Sequence, residues 1–199
     1  MPDDRKSTAD DDRRLVRRAL RGDRRAFETI VRRYEQPLLN YVGRMVRDRE
    51  QALDATQEVF LRAYSQLSSF RAEYKFSTWL FRIASNHLID TWRKKKVTAV
   101  SLDQPFNDAE DDGRTLQVAD ETASVVRTLE RKELRTRLEA AIAELPPHLR
   151  ELFVWRHVNG LSYEEMAEIK GLPEGTVKNR VFQAKEALRR RLEGCPWIA

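Results

Sequence analysis

A single cysteine, Cys195, stands in 199 residues, so an intramolecular disulfide and a cysteine-cluster zinc site are both excluded. The three histidines, His87, His148 and His157, are scattered and form no ligand set. No apolar run approaches the length that spans a bilayer, and the N-terminus is charged where a signal peptide needs an apolar core. Strand-type alternation is missing throughout. So are a glycine-rich phosphate loop and a nucleophile–base pair. These gaps predict an all-α protein of the cytoplasm that is not an enzyme. It needs no metal, cofactor or small-molecule substrate and does not insert into a membrane.

Charge is plentiful, at 35% of residues, and its balance of 37 basic to 32 acidic side chains leaves a net +5 and a pI near 9.5. Polyanions are therefore plausible partners, and the distribution of charge matters more than its sum. One stretch stands out. Phe70–Lys96 holds six aromatic residues, has no acid between Glu73 and Asp90, and closes on Arg93-Lys94-Lys95-Lys96. On a helix Phe76, Leu80, Ala84, His87 and Leu88 share one stripe, while Trp79, Arg82, Asn86 and Arg93 gather beside it with Ile83 at the border. Such a helix serves equally as a core helix with a basic end or as a platform for unpaired bases. Aromatics beside cations and amides stack bases and draw in phosphate.

The rest of the chain reads as helices around a break. Residues 1–12 are acidic and polar, predicting a disordered tail. Three further helical patterns precede the aromatic stretch, over 13–21, around Phe27–Met45 with Pro37 predicting a kink or break, and over Glu50–Leu67. The last presents Asp54, Gln57, Glu58 and Arg62 opposite an apolar stripe that includes Phe60. Residues 13–96 make a first helical domain. Over 97–123 periodicity is lost and acids accumulate, so a flexible acidic linker is expected. Residues 124–194 form a second small helical domain, followed by a tail at 195–199.

Within that second domain Ser162 and Glu165 form a capping box, Leu161 can staple onto Met166, Gly171 stops the helix, and Pro173 favours the start of the next. Two helices about a tight glycine turn are a helix-turn-helix, whose second helix enters the major groove. Val177, Val181, Ala184, Leu188 and Leu192 form its inner stripe; Lys178, Asn179, Phe182, Gln183 and Glu186 point away. An outward Phe182 beside amides and a lysine suits base-edge readout, the alternative being packing on a neighbouring domain or partner.

In order and spacing these motifs resemble an extracytoplasmic-function (ECF) sigma factor, the promoter-recognition subunit of bacterial RNA polymerase. The resemblance rests on Asp54–Tyr64, on Phe76–Asn86, and on Leu161–Glu165 with Gly175–Arg180. It implies that Asp54, Gln57, Glu58, Phe60 and Arg62 bind core polymerase. Phe70, Arg71, Trp79, Arg82, Ile83, Asn86, Arg93, Lys94, Lys95 and Lys96 would handle the melted minus-ten element, with Phe70, Ile83 and Asn86 lining a pocket for a flipped base. Thr176, Lys178, Asn179, Arg180, Phe182 and Gln183 would read the minus-thirty-five element, with Arg150 or Arg156 on phosphate. Core RNA polymerase, promoter DNA and an anti-sigma factor are the implied partners. Ala72 departs from the family's usual glycine, Asn179 from its usual serine and Gln183 from its common arginine, which implies a different upstream preference. Two other readings compete: a stand-alone helix-turn-helix regulator, and a metal-dependent nucleic-acid enzyme using linker acids such as Asp111 and Asp112.

Overall fold

The computed structural model describes residues 4–46, 48–101 and 125–193, with side-chain surroundings for 8–93 (residue 47 aside) and 132–193. The described residues contain eight α-helices, one short 3-10 turn and no strand. The helices are α1 (Asp4–Leu20), α2 (Arg24–Val46), α3 (Arg49–Ser65), α4 (Phe76–Ser101), α5 (Val125–Ala143), α6 (Pro147–His157), α7 (Tyr163–Lys170) and α8 (Glu174–Leu192). None is long and apolar enough to cross a membrane.

Local signals fix most boundaries. Asp48 caps α3 by accepting from the Gln51 amide at 2.7 Å, and Gly22 and Gly171 take the left-handed conformation at the ends of α1 and α7. Ser162 and Glu165 close both halves of the capping box on α7, and Leu161 and Met166 are buried together. Pro173 stands at the cap of α8, one residue before its first turn.

Three expectations are corrected in whole or in part. The disordered tail over 1–12 is helical from Asp4, because its acids find partners on α2. Asp12 is buried against Arg33 and Tyr34, and Asp11 pairs with Arg33 as well. Burial pushes the Asp12 carboxyl up, whereas the hydrogen bond from Arg33 holds Asp11 down. Of the kink or break expected at Pro37, the break is absent, since α2 is continuous through it. The start of the expected linker is also helical, since α4 runs to Ser101; residues 102–124 and the tail after 193 lie outside the described residues.

The two halves pack directly on one another. The predicted stripe of α4 is buried as expected, with Phe76, Leu80, Ala84 and Leu88 in the first-half core. A second face, Phe81 and Ser85, is buried too, against the second half. There Tyr41, Phe81 and Trp155 form a ring cluster with centroids 5.5–6.4 Å apart. Beside it lies Glu151, 5% exposed. Its Oε1 accepts from Tyr41 Oη at 2.8 Å and Ser85 Oγ at 2.7 Å, and its Oε2 meets Lys170 Nζ at 2.6 Å. Both carboxylate oxygens are thus satisfied within the interface. Around the rim Arg44 pairs with Glu139, Asn159 donates to the Pro37 carbonyl, Lys75 pairs with Glu165 and Arg82 pairs with Glu168.

Candidate nucleic-acid interface

Three surfaces collect the residues singled out from the sequence. The first is a cleft of about 300 Å³ where the 3-10 turn Leu67–Ser69 and the loop after it meet α4. Arg71, Trp79, Arg82, Ile83 and Asn86, all expected here, line it. Gln66, Ser69 and Tyr74 line it as well and were missed: Ser69 and Tyr74 lie in a stretch without periodicity, and Gln66 caps the end of α3. The volume matches the low end of clefts that hold small ligands. Its wall offers an indole and a phenol for stacking, amides for hydrogen bonding and two guanidinium groups for phosphate.

Phe70 is not among the residues lining the cleft. It lies edge-on to Phe76 and Trp79, with centroids 5.6 and 5.7 Å away, and so braces Trp79 from behind. Trp79 itself both packs on that loop and faces the cleft, and Ile83 is 9% exposed, meeting the cleft with an edge of its side chain. Arg93 is exposed and pairs with Asp90 one turn earlier on α4; the side chains of Lys94, Lys95 and Lys96, which continue its basic run, lie outside those described.

The second surface is the outer face of α3. Asp54 and Gln57 are exposed, and Glu58 and Arg62 pair at 2.7 Å, a hydrogen bond that holds the Glu58 carboxyl low. Leu53, Leu61 and Tyr64, at helical spacing with Gln57, are exposed apolar residues on this face that sequence reasoning passed over. Phe60 is a correction: at 8% exposure it belongs to the core beneath that face, since it shares the inward stripe with Val59 and Ala63.

The third surface is the outer face of α8. Lys178, Asn179, Phe182 and Gln183 are all exposed, Phe182 at 62%, while the inner stripe is buried in full. Glu174 pairs with Lys178 at 2.5 Å and raises the pKa of its ammonium group. Lys178 and Arg156 both approach the Tyr163 ring, at 5.6 and 4.8 Å, which sets two cations at the corner between α7 and α8. Thr176 and Arg180 are half-buried at the flank of this face. Arg150 does not fit a phosphate-holding role. It is 6% exposed and spends its guanidinium on the carbonyl oxygens of Ala143, Leu145 and Arg44. Those carbonyls close α2 and α5, so Arg150 is a structural cap.

Among the described residues no group of three or more His, Cys, Asp or Glu side chains is arranged to hold a metal ion. Asp111 and Asp112 lie outside them.

Residues 30–98 match the family model Sigma-70 region 2, and residues 135–188 match Sigma-70, region 4. The RNA polymerase sigma-H factor of Pseudomonas aeruginosa is 36% identical over 94% of this chain and 96% of its own. The ECF RNA polymerase sigma factor SigW of Bacillus subtilis is 35% identical over 90% of this chain and 96% of its own. Among solved structures, CnrH in complex with the cytosolic domain of CnrY superposes with a TM-score of 0.66 at 25% identity, covering 92% of this chain and 97% of that one. RpoE of Bartonella quintana, in complex with the anti-sigma factor NepR, does so with a TM-score of 0.69 at 22% identity, covering 85% and 98%.

Proposed function

Because this chain belongs to the ECF sigma factors of bacterial RNA polymerase, we propose that its three surfaces divide the work of promoter-directed initiation. The outer face of α3, with Asp54 and Gln57 between Leu53 and Leu61, docks on core polymerase. The cleft between α4 and the preceding loop receives a flipped base of the melted minus-ten strand, with Trp79 and Tyr74 stacking, Asn86 reading and Arg71 and Arg82 on phosphate. The outer face of α8 reads the minus-thirty-five element in the major groove through Lys178, Asn179, Phe182 and Gln183. The cleft carries this reading, because five residues expected from the sequence line one nucleotide-sized space. An anti-sigma protein is the further partner; CnrH and RpoE, both similar in fold, are seen with CnrY and with NepR.

Magnitudes fix what the chain does alone. Each opened DNA step costs about 1.4 kcal/mol. Each captured base returns roughly 1–3 kcal/mol of stacking. One cleft traps a base or two and cannot hold an extended bubble without polymerase. The free protein therefore binds promoter duplex weakly and opens none.

The test is transcription with core polymerase from a randomised promoter library, followed by Asn86→Ala on the selected promoter. Permanganate reactivity of the melted region is expected to fall well below wild type, while polymerase binding stays unchanged. Equal loss of both would make Asn86 structural, and permanganate-reactive promoter DNA without polymerase would overturn the division of labour. A stand-alone helix-turn-helix regulator would give no run-off product at all.

A further inference from the structure

We infer that in the free protein the acidic face of α7 is an intramolecular ligand of the cleft, with Glu168 and Glu165 occupying cations that otherwise attract the melted strand. The inference rests on the reading of the cleft as the single-strand site. Arg82 lines that cleft, yet its Nη2 lies 2.8 Å from Glu168 Oε1 and 3.2 Å from the Glu168 carbonyl oxygen. Lys75, in the loop leading into α4, meets Glu165 Oε1 at 2.8 Å. The two acids are three residues apart and therefore share one face of α7. A carboxylate presents a guanidinium with the same charged oxygen edge as a phosphate.

Two features make this contact a competitor for DNA. Glu165 is held in place, because its Oε2 accepts the Ser162 amide in the capping box, and its side chain is 15% exposed. The Arg82–Glu168 pair is half open to solvent, with side chains 39% and 33% exposed, so an incoming phosphate can replace the carboxylate. The buried Glu151–Lys170 pair, one turn further along, keeps α7 in register on α4. The packed arrangement is also incompatible with reading a whole promoter. The minus-ten and minus-thirty-five elements lie about 25 base pairs apart, roughly 85 Å at 3.4 Å per step. In the packed chain the helix-turn-helix touches the wall of the cleft. Engaging both elements must pull α7 from α4, and that frees Arg82 and Lys75 as the strand arrives.

The test uses the full chain and a short fluorescently labelled single-stranded DNA pool, titrated at low salt. Glu168→Gln is expected to bind about two- to fivefold more tightly than wild type, the range set by a solvent-exposed ion pair. Glu164→Gln removes the same charge from the same helix, but the Glu164 carboxylate is turned to Ser162; it is expected to match wild type. Glu168→Asp, one methylene short, should move in the direction of Glu168→Gln. In holoenzyme, where the halves are apart, Glu168→Gln should open promoter DNA as wild type does. If Glu168→Gln and Glu164→Gln bind alike, or if Glu168→Gln changes promoter opening in holoenzyme, the inference is overturned. Arg82→Ala added to Glu168→Gln keeps the two ideas distinguishable: a double variant that binds as tightly as Glu168→Gln alone would sink the cleft reading itself.

Discussion

Replacing Lys170 with Met probes what holds the two halves together. The Lys170 ammonium, 16% exposed, is the only cation hydrogen-bonded to the Glu151 carboxylate among the described residues, and it also faces the Trp155 ring. Removing one partner of a buried pair costs about 3–5 kcal/mol, because the remaining charge is left without compensation. Here Tyr41 and Ser85 still donate to Glu151, which places the expected loss near the lower end, at about 3 kcal/mol. For a chain of this size that corresponds to a fall in Tm of roughly 6–12 °C. Differential scanning calorimetry is the suitable assay, since it also reports the number of transitions. Wild type should melt in one transition, with the halves coupled through α4, α6 and α7; Lys170→Met should separate them into two. Pairing it with Glu151→Gln should recover most of the loss, because the amide oxygen still accepts from both hydroxyls. A single Lys170→Met that melts within about a degree of wild type would refute the reasoning. So would a double variant equal to the sum of the singles, since residues in contact should couple.

Other outcomes follow from the corrected roles. Arg150→Met retains the apolar stem but strips three carbonyls of their donor, and should cost about 2–4 kcal/mol in urea denaturation. The affinity of its folded fraction for minus-thirty-five duplex should be unchanged; weaker DNA binding at wild-type stability would restore a phosphate role. Phe182→Ala should leave stability within about 0.5 kcal/mol, since the ring is 62% exposed. Its affinity for the upstream element should nevertheless drop, as read by electrophoretic mobility shift in holoenzyme.

How much was legible depended on the range of the interactions. The bounds of α7 and α8 follow from Ser162, Glu165, Gly171 and the 3.6-residue stripe from Val177 to Leu192, all signals within a few residues of the boundary they set. The same locality explains the misses. Asp11 and Asp12 look like solvated tail acids until Arg33 and Tyr34, more than twenty residues on, are folded against them. Arg150 looks like a surface cation because its carbonyl partners, Arg44 on α2 and Ala143 and Leu145 at and just past the end of α5, have no sequence signature. One stripe of α4 was readable, yet Phe81 and Ser85 broke its pattern; their partners Tyr41, Glu151 and Trp155 come from two other helices. Arg82 is the instructive case. Its place in the cleft follows from helical spacing, whereas its tie to Glu168 depends on how the two halves meet.

The two helices of the helix-turn-helix also differ in how freely their sequences can drift. On α7, Glu165, Glu168 and Lys170 are each committed to a partner on another helix or in the loop before α4, so a change at one demands an answering change more than eighty positions away, at Lys75, Arg82 or Ser85. On α8 the outward residues from Lys178 to Gln183 make few such commitments, while the stripe beneath them carries the packing. On the proposed reading of this face, promoter preference can therefore change at little cost to folding. A duplicated copy of this chain could acquire new target genes by substitutions confined to one exposed face.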